Sequence, residues 1–367
     1  MPGTGDSRKQ VVITGASGNI GTALLRRCQD LENWDITGVA RRLPDRDRTP
    51  YSCATWFTCD IGEPSAPASL AEIFTGADAV VHLAWAIHPP RSDPPMRRTN
   101  NDGTAAVLAA AAAAGVRHIV CASSVAAYSP AQRWQRVHED WPCDGVPGSA
   151  YSRGKAELER RLDAFTATRP DITLTRIRPC AVVQRDAAGE FARWLTSALL
   201  PERLIGARWL PLPLWDELRL QLVHAEDVAD AIRLILNRGE SGAFNLAAEP
   251  ALGAVDVTRA ADSPRLPVPA GLVKAAAGLT WQVGVQPLHP GWLTLADQVA
   301  HVDTTRAREQ LGWAPRWDGV SALKDLLEGM RDLAGAPSPP LEPNGKNGLL
   351  ARLRSVPWGR PGSQPQA

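Results

Sequence analysis

Three glycines spaced three apart constrain this chain more than any other feature. They lie in Val11-Val-Ile-Thr-Gly15-Ala-Ser17-Gly18-Asn19-Ile20-Gly21, after an apolar run and at the start of a helical pattern. A strand that turns on glycines into a helix presents backbone N–H groups at the helix's positive end. An anionic pyrophosphate can approach there without meeting side chains. The expectation is a dinucleotide held by Gly15, Ser17, Gly18, Asn19, Ile20 and Gly21.

The following residues keep the same rhythm. Apolar strand signals at 11–14, 36–40, 79–83, 118–122 and 172–177 alternate with helical patterns at 20–29, 70–74, 100–114 and 152–168. Strand alternating with helix predicts a Rossmann-like α/β fold, a doubly wound parallel sheet covered on both faces. Residues 10–180 are read as the principal dinucleotide-binding region. Beyond residue 180 the rhythm breaks into helical stretches at 191–200, 226–236 and 320–333, a short strand at 243–246 and a proline-interrupted aromatic segment at 204–215. This predicts a smaller C-terminal substrate-binding lobe over 181–333, interwoven with returning sheet elements. Residues 1–9 read as a flexible terminus and 334–367 as a loosely ordered Pro/Gly-rich tail.

Composition removes several alternatives. A formal charge of +1 gives no support for a nucleic-acid surface. The six cysteines, at 28, 53, 59, 121, 143 and 180, form no CxxC pair and no zinc spacing, so they read as buried free thiols and no metal is expected. MPGTGDSRKQ lacks the apolar core of a secretory leader, and no uncharged apolar run is long enough to span a bilayer, so a cytoplasmic protein without membrane contact is expected.

The second strand ends in Ala40-Arg41-Arg42, where an acid would bind ribose hydroxyls and repel a 2′-phosphate. Two guanidinium groups instead favour NADP(H), with NAD(H) as the alternative. Asp60 and Ile61 follow a third strand, placed for the adenine amino group and ring. His82-Leu83-Ala84-Trp85-Ala86 reads as a stretch that lets a cofactor pass closely, with Leu83, Ala84 and Trp85 lining it and His82 packed. Tyr151 and Lys155 form a YxxxK pair on one helix face, where an ammonium and an oxidised nicotinamide would pull the phenol below its usual pKa of about 10. Ser123 and Ser124 end the strand at 118–122, and a serine hydroxyl there can orient a carbonyl or hydroxyl while Tyr151 moves the proton.

This ordered set resembles the extended short-chain dehydrogenase/reductases of the NAD-dependent epimerase/dehydratase superfamily. The resemblance rests on TGASGNIG at 14–21, DI at 60–61, HLAWA at 82–86, NNDGT at 100–104, ASSVAAY at 122–128 and YSRGK at 151–155. It continues with IRP at 177–179, VHAEDVADAI at 223–232 and FNLAAEP at 244–250, with a further match at 303–315. It implies Ser124, Tyr151 and Lys155 as the catalytic set and a cofactor role for Tyr151 and Lys155. It also implies Asn100 as a support of the active site and Pro179 as framing the nicotinamide. The Thr-Asp-Glu triplet of sugar dehydratases is absent, since Ser124 is followed by Val125-Ala126-Ala127, so dehydration is discounted. The family's Arg-Asp-Phe before its histidine is replaced by Arg219-Leu-Gln-Leu-Val-His224, with the arginine offset, which weakens the case for a nucleotide-sugar phosphate.

Substrate contacts are expected from His88, Arg97, Trp194, Trp209 and Trp215, together with Ser124, and from Arg91, Met96 and Arg98 nearby. Thirteen tryptophans against five phenylalanines suggest an aromatic or polycyclic small molecule, and a nucleotide sugar remains open. Three functions are consistent with this pattern. An NADP(H)-dependent ketoreductase or alcohol dehydrogenase is the first, a nucleotide-sugar epimerase with tightly held NAD the second, and a non-catalytic NADP sensor the third. A homodimer through helices 100–114 and 151–168 is expected from the family's habit.

Overall fold

A computed structural model describes residues 8–29, 33–87, 94–195, 209–282 and 289–343. Its spine is a sheet of β1 (Lys9–Thr14), β2 (Trp34–Ala40), β3 (Ala54–Thr58), β4 (Ala79–His82), β5 (His118–Ala122), β6 (Thr173–Pro179) and β7 (Gly242–Leu246). The strands are parallel and lie in the order β7-β6-β5-β4-β1-β2-β3. Winding reverses beside β1, and the crevice at the carboxyl ends of β1 and β4 is where such sheets take ligands.

Both faces are covered, which is why the inner strands read as unbroken apolar runs. Helices α1 (Asn19–Cys28) and α5 (Ala225–Arg238) cover one face, where Leu24, Leu25, Ile232 and Ile235 pack on Val11, Ile13, Val81, Val120 and Phe244. Helices α2 (Ala66–Phe74), α3 (Gly103–Ala113) and α4 (Ala150–Thr168) cover the other, with Leu70, Val107, Leu158 and Leu162 on Val12, Val80, Ile119 and Leu174. Alternate residues of each strand thus serve opposite cores. No described helix is long and apolar enough to cross a membrane.

Strand β6 is not the last of the sheet, because the chain returns after residue 180 to lay β7 along it. The intervening segment is pinned by short pairings, Leu222–His224 on Ala181–Val183 and Arg219–Leu220 on Leu252–Gly253. Helix α6 (Gly319–Arg331) closes this lobe through Leu323, Leu326 and Met330. The expectation of a loose tail from residue 334 fails for 334–343. Ala336 and Leu341 are buried in the main core, and the glycine and prolines there make a tight turn, with Ala336 N–H donating to Leu341 O at 3.0 Å.

One buried carboxylate joins β5, β6 and α4. Glu159, 2% exposed, accepts from Ser123 Oγ at 2.5 Å, from Arg178 Nε at 2.8 Å and Nη2 at 2.9 Å, and from Arg176 Nη1 at 3.0 Å. Arg178 also reaches the Tyr128 hydroxyl at 2.8 Å, which donates to Asn245 on β7 at 2.7 Å. Burial pushes the Glu159 carboxyl up, but the forked Arg178, with Ser123 and Arg176, outweighs it and holds Glu159 below the usual range. Removing the charge from one side of a buried pair strands the other. Glu159→Gln is therefore expected to lose about 3–5 kcal/mol of stability in urea unfolding at neutral pH, and a loss below about 1 kcal/mol would contradict the role assigned to this network.

Candidate functional site

Strand β1 stops at Thr14 because Gly15 turns in the left-handed region, at φ +74°. A Cβ on Gly15 would stand 2.7 Å from the Ala84 nitrogen, and one on Gly21 would stand 2.5 Å from the carbonyls of Gly15 and Ala16. The first glycine therefore admits the exit of β4, and the third seats α1 on the turn. Helix α1 begins after Gly18 with no side-chain cap and no acid in its first turn, leaving its amide end open to an anion. This cradle fits a dinucleotide pyrophosphate.

The neighbouring expectations divide. Arg41 and Arg42 are exposed at the end of β2, unpaired among the described residues, and Gly15 N–H donates to Val39 O at 2.9 Å two residues before them. The Asn19 side chain is spent on the second lobe, donating to Val182 O at 2.9 Å and accepting from Gln184 at 2.7 Å, and Ile20 packs on the core. Ser17 is buried. Asp60 pairs with Arg98 at 3.1 Å and accepts from Gly62 N–H, while Ile61 is pressed against Gly103 at the start of α3. Both thus have protein partners that fix their positions at the end of β3. Asn100 grips the Ala86 backbone at both ends, accepting at 2.7 Å and donating at 2.9 Å, so its side chain shapes the 83–87 loop expected to line the cofactor. His82 bridges Thr14 at 2.7 Å and Thr104 at 3.0 Å, and burial together with Lys155 pulls it to about 3, so it stays neutral and structural.

Ser124, Tyr151 and Lys155 do come together. Ser124 Oγ accepts from Ala126 N–H at 3.1 Å and donates to Pro179 O at 3.3 Å, and it lies close enough to Tyr151 to pull that phenol's pKa down. Pro179 thus meets the site through its carbonyl. Helix α4, capped by Ser149, carries Tyr151 and Lys155 one turn apart. Lys155 Nζ donates to Ala122 O at 2.9 Å and lies 3.6 Å above the Trp85 ring. Trp85 is therefore a platform for the ammonium. Burial lowers Lys155 to about 7, with Cys121 and Glu159 opposing. The expected lowering of Tyr151 is not seen in the chain itself. Burial raises it, the nearby Ser124 hydroxyl only partly offsets this, and the ammonium is directed to Ala122 and Trp85.

The aromatic neighbour of Tyr151 is one the sequence reading missed. Trp292 lies 4.9 Å from it at 32°, beside Ile87, His289 and Gly291. The signal was present in His289-Pro-Gly-Trp: His289 caps the helix Pro290–Gln298, and Gly291 allows it to touch Gly148 O, where a Cβ would come within 2.7 Å. Of the expected substrate residues, Trp215 is core, packed with Leu218 and Ala254, while Trp209 is 68% exposed. Arg97 is exposed, Met96 is buried, and Arg98 is occupied by Asp60 and Glu63. His88, Arg91 and the Trp194 side chain lie outside the described residues.

The offset Arg219 proves more interesting than its sequence position suggested. It is 3% exposed, and its Nε and Nη1 have no partner among the described residues; Nη2 donates to Val299 O at 3.3 Å. Val299 packs in the cluster that holds Tyr151 and Trp292. Burial, then Arg133, depress Arg219, with Asp297 opposing, and burial with Arg219, Arg136 and Arg133 takes nearby His301 down to about 4.

Lys155 gives the site a pH dependence whose sign is fixed. The unfolded lysine, at 10.5, still holds a proton in the window where the folded one, at about 7, has lost it. Stability therefore rises with pH across this window, and the burial penalty is full below its lower end. Lys155→Met, which has no charge to bury, is expected to gain most over the parent near pH 6 and progressively less toward pH 10 in urea unfolding. A gain that grew with pH would refute the assignment.

Comparison with known proteins places this geometry. The NAD dependent epimerase/dehydratase family matches residues 11–247. An uncharacterized protein of Mycobacterium tuberculosis is 27% identical over 329 residues, spanning 88% of this chain and 84% of its own. Among solved structures, the UDP-glucose-4-epimerase of Stenotrophomonas maltophila with bound NAD and formylated UDP-arabinopyranose shares the fold at TM-score 0.67. It has 20% identity and covers 89% of this chain and 98% of its own. That of Thermus thermophilus, complexed with NAD, does so at TM-score 0.65, 19% identity and coverage of 88% and 99%. The cofactor is a nicotinamide dinucleotide. The chain belongs to the NAD-dependent epimerase/dehydratase family and is an NAD(P)-dependent enzyme of the extended short-chain dehydrogenase/reductase kind.

Proposed function

We propose that the chain is a nucleotide-sugar epimerase, oxidising a secondary hydroxyl and re-reducing the same carbon. The observation that carries this reading is Arg219. A buried guanidinium with two unmatched donor atoms behind the wall of the Tyr151 site is costly unless an anion meets it, and a substrate diphosphate has that charge. The fold neighbours that hold NAD with UDP or a UDP sugar support the same class.

When bound, the dinucleotide supplies the hydride acceptor and donor. Gly15, Gly18 and Gly21 would hold its pyrophosphate, and Lys155 the nicotinamide ribose. Ser124 orients the reacting oxygen and Tyr151 exchanges its proton. The raised Tyr151 keeps that proton until positive charge arrives, so the chain by itself rests with a neutral phenol. Lys155, set near neutrality, titrates where the enzyme works.

A second reading, an NADP(H)-dependent ketoreductase acting on an apolar ketone, draws on the unpaired Arg41 and Arg42 and on Trp292 facing Tyr151. Denaturing the purified protein and identifying any released dinucleotide separates the two. The epimerase retains NAD and shows no net cofactor turnover, whereas the reductase consumes NADPH. In either case Tyr151→Phe is expected to lower turnover by about 10²–10⁴-fold with dinucleotide affinity retained, and undiminished turnover would remove Tyr151 from the mechanism. Arg219→Met is expected to stabilise the ligand-free chain by about 1–3 kcal/mol while raising the KM for a UDP-sugar about tenfold or more. A variant that lost stability and kept its KM would overturn the anion role.

A further inference from the structure

We propose that residues 335–341 form a clip that sets the width of the adenosine end of the dinucleotide cleft, with Ser338 as a positioning residue for the cofactor. The inference rests on the dinucleotide reading and adds to it an element far from the glycine motif in sequence.

Ser338 Oγ donates to the Ser17 carbonyl at 2.9 Å, across 321 residues of chain. Ser17 sits inside the glycine turn. One residue earlier in the clip, the Pro337 carbonyl accepts from Asp45 N–H at 2.9 Å, in the loop that begins with Arg41 and Arg42. Ser338 is 3% exposed and lies beside the fully buried Tyr51, whose pKa it lowers and whose hydroxyl lies 3.0 Å from Thr22 on α1. Two adjacent residues thus hold the two loops that leave the carboxyl ends of β1 and β2.

The clip is itself rigid. Leu341 N–H donates to Ser338 O at 3.0 Å and Ser338 N–H to Ala336 O at 2.7 Å, while Ala336 and Leu341 anchor it in the core. A Cβ on Gly335 would collide with the Leu341 carbonyl, so the turn depends on that glycine. Ala334 N–H, bonded to Gly329 O at 2.8 Å, ties the turn to the end of α6. Neither Ser17 O nor Asp45 N–H takes part in the sheet ladder, so these bonds order loops and not strands. Loops fixed before the ligand arrives remove an ordering cost from binding, so the clip's contribution should appear as cofactor affinity.

The test uses the full chain, Ser338→Ala and a chain ending at residue 334, titrated calorimetrically with ADP, NAD and NADP, with melting temperatures alongside. Loss of one buried hydrogen bond at a preorganised loop is expected to weaken ADP and both dinucleotides about five- to tenfold in Ser338→Ala. The shortened chain should weaken them at least as much. In turnover, the cofactor KM should rise with kcat at saturating cofactor unchanged. A lower melting temperature with unchanged affinities would make Ser338 a fold residue only and would overturn the proposal. If the shortened chain does not fold, Ser338→Ala decides alone. A parent chain that binds neither ADP nor dinucleotide would sink the cofactor reading itself, whereas equal affinities in parent and Ser338→Ala sink only the clip.

Discussion

A carboxylate with almost no access to water fixes the catalytic end of this molecule. Glu159 must be neutralised and hydrogen-bonded where it lies, because an unmatched charge in a protein interior is intolerable. Glu159 lies one turn beyond Lys155 on α4, and its partners come from two other elements: Ser123 after β5, and Arg176 and Arg178 on β6. Satisfying that one group sets the rotation of α4 and its height along the sheet. Ser124 and Pro179, each adjacent to a partner of Glu159, then fall beside Tyr151 as a consequence. The trio Ser124, Tyr151 and Lys155 is thus placed by a group outside it.

The electrostatics of the cleft follow a consistent pattern. Its acids are already engaged, Asp60 with Arg98 and Glu159 with its arginines, while Arg41 and Arg42 have no partners among the described residues and Arg219 keeps two donor atoms unmatched. Lys155 is held near neutrality by burial, against a backbone carbonyl and an indole face. A near-zero total charge therefore coexists with a ligand end that is locally cationic.

Features governed by local geometry could be read from the sequence. The glycine turn, the parallel alternation, the YxxxK face and the serine strand end each depend on neighbours a few residues apart, and all appear where the spacing put them. What failed depends on partners chosen in three dimensions. Nothing in the residues around Asp60 announces that Arg98 is folded against it. Glu159 passes as one more charge in Ala156-Glu-Leu-Glu-Arg, and Trp292 sits far along the chain from the tyrosine it faces. The proline and glycine content of 334–343 suggested looseness, but the same residues make a short turn that only buried Ala336 and Leu341 reveal as anchored. Trp215 shows the opposite error, a conspicuous aromatic that simply fills a core.

Strand β7 closes the sheet only after the whole excursion from residue 180 to residue 241. On a ribosome adding about 5–20 residues each second, β6 therefore waits several seconds for its outer neighbour. Throughout that interval it is an open edge, the kind of surface that recruits strands from other chains. Arg176 and Arg178 lie on that edge, and the proline at its end cannot donate to a ladder. Glu159 has already left the ribosome by then, so the arginines that order the mature site can also put charge on the unfinished edge, which makes it a poor template for other chains.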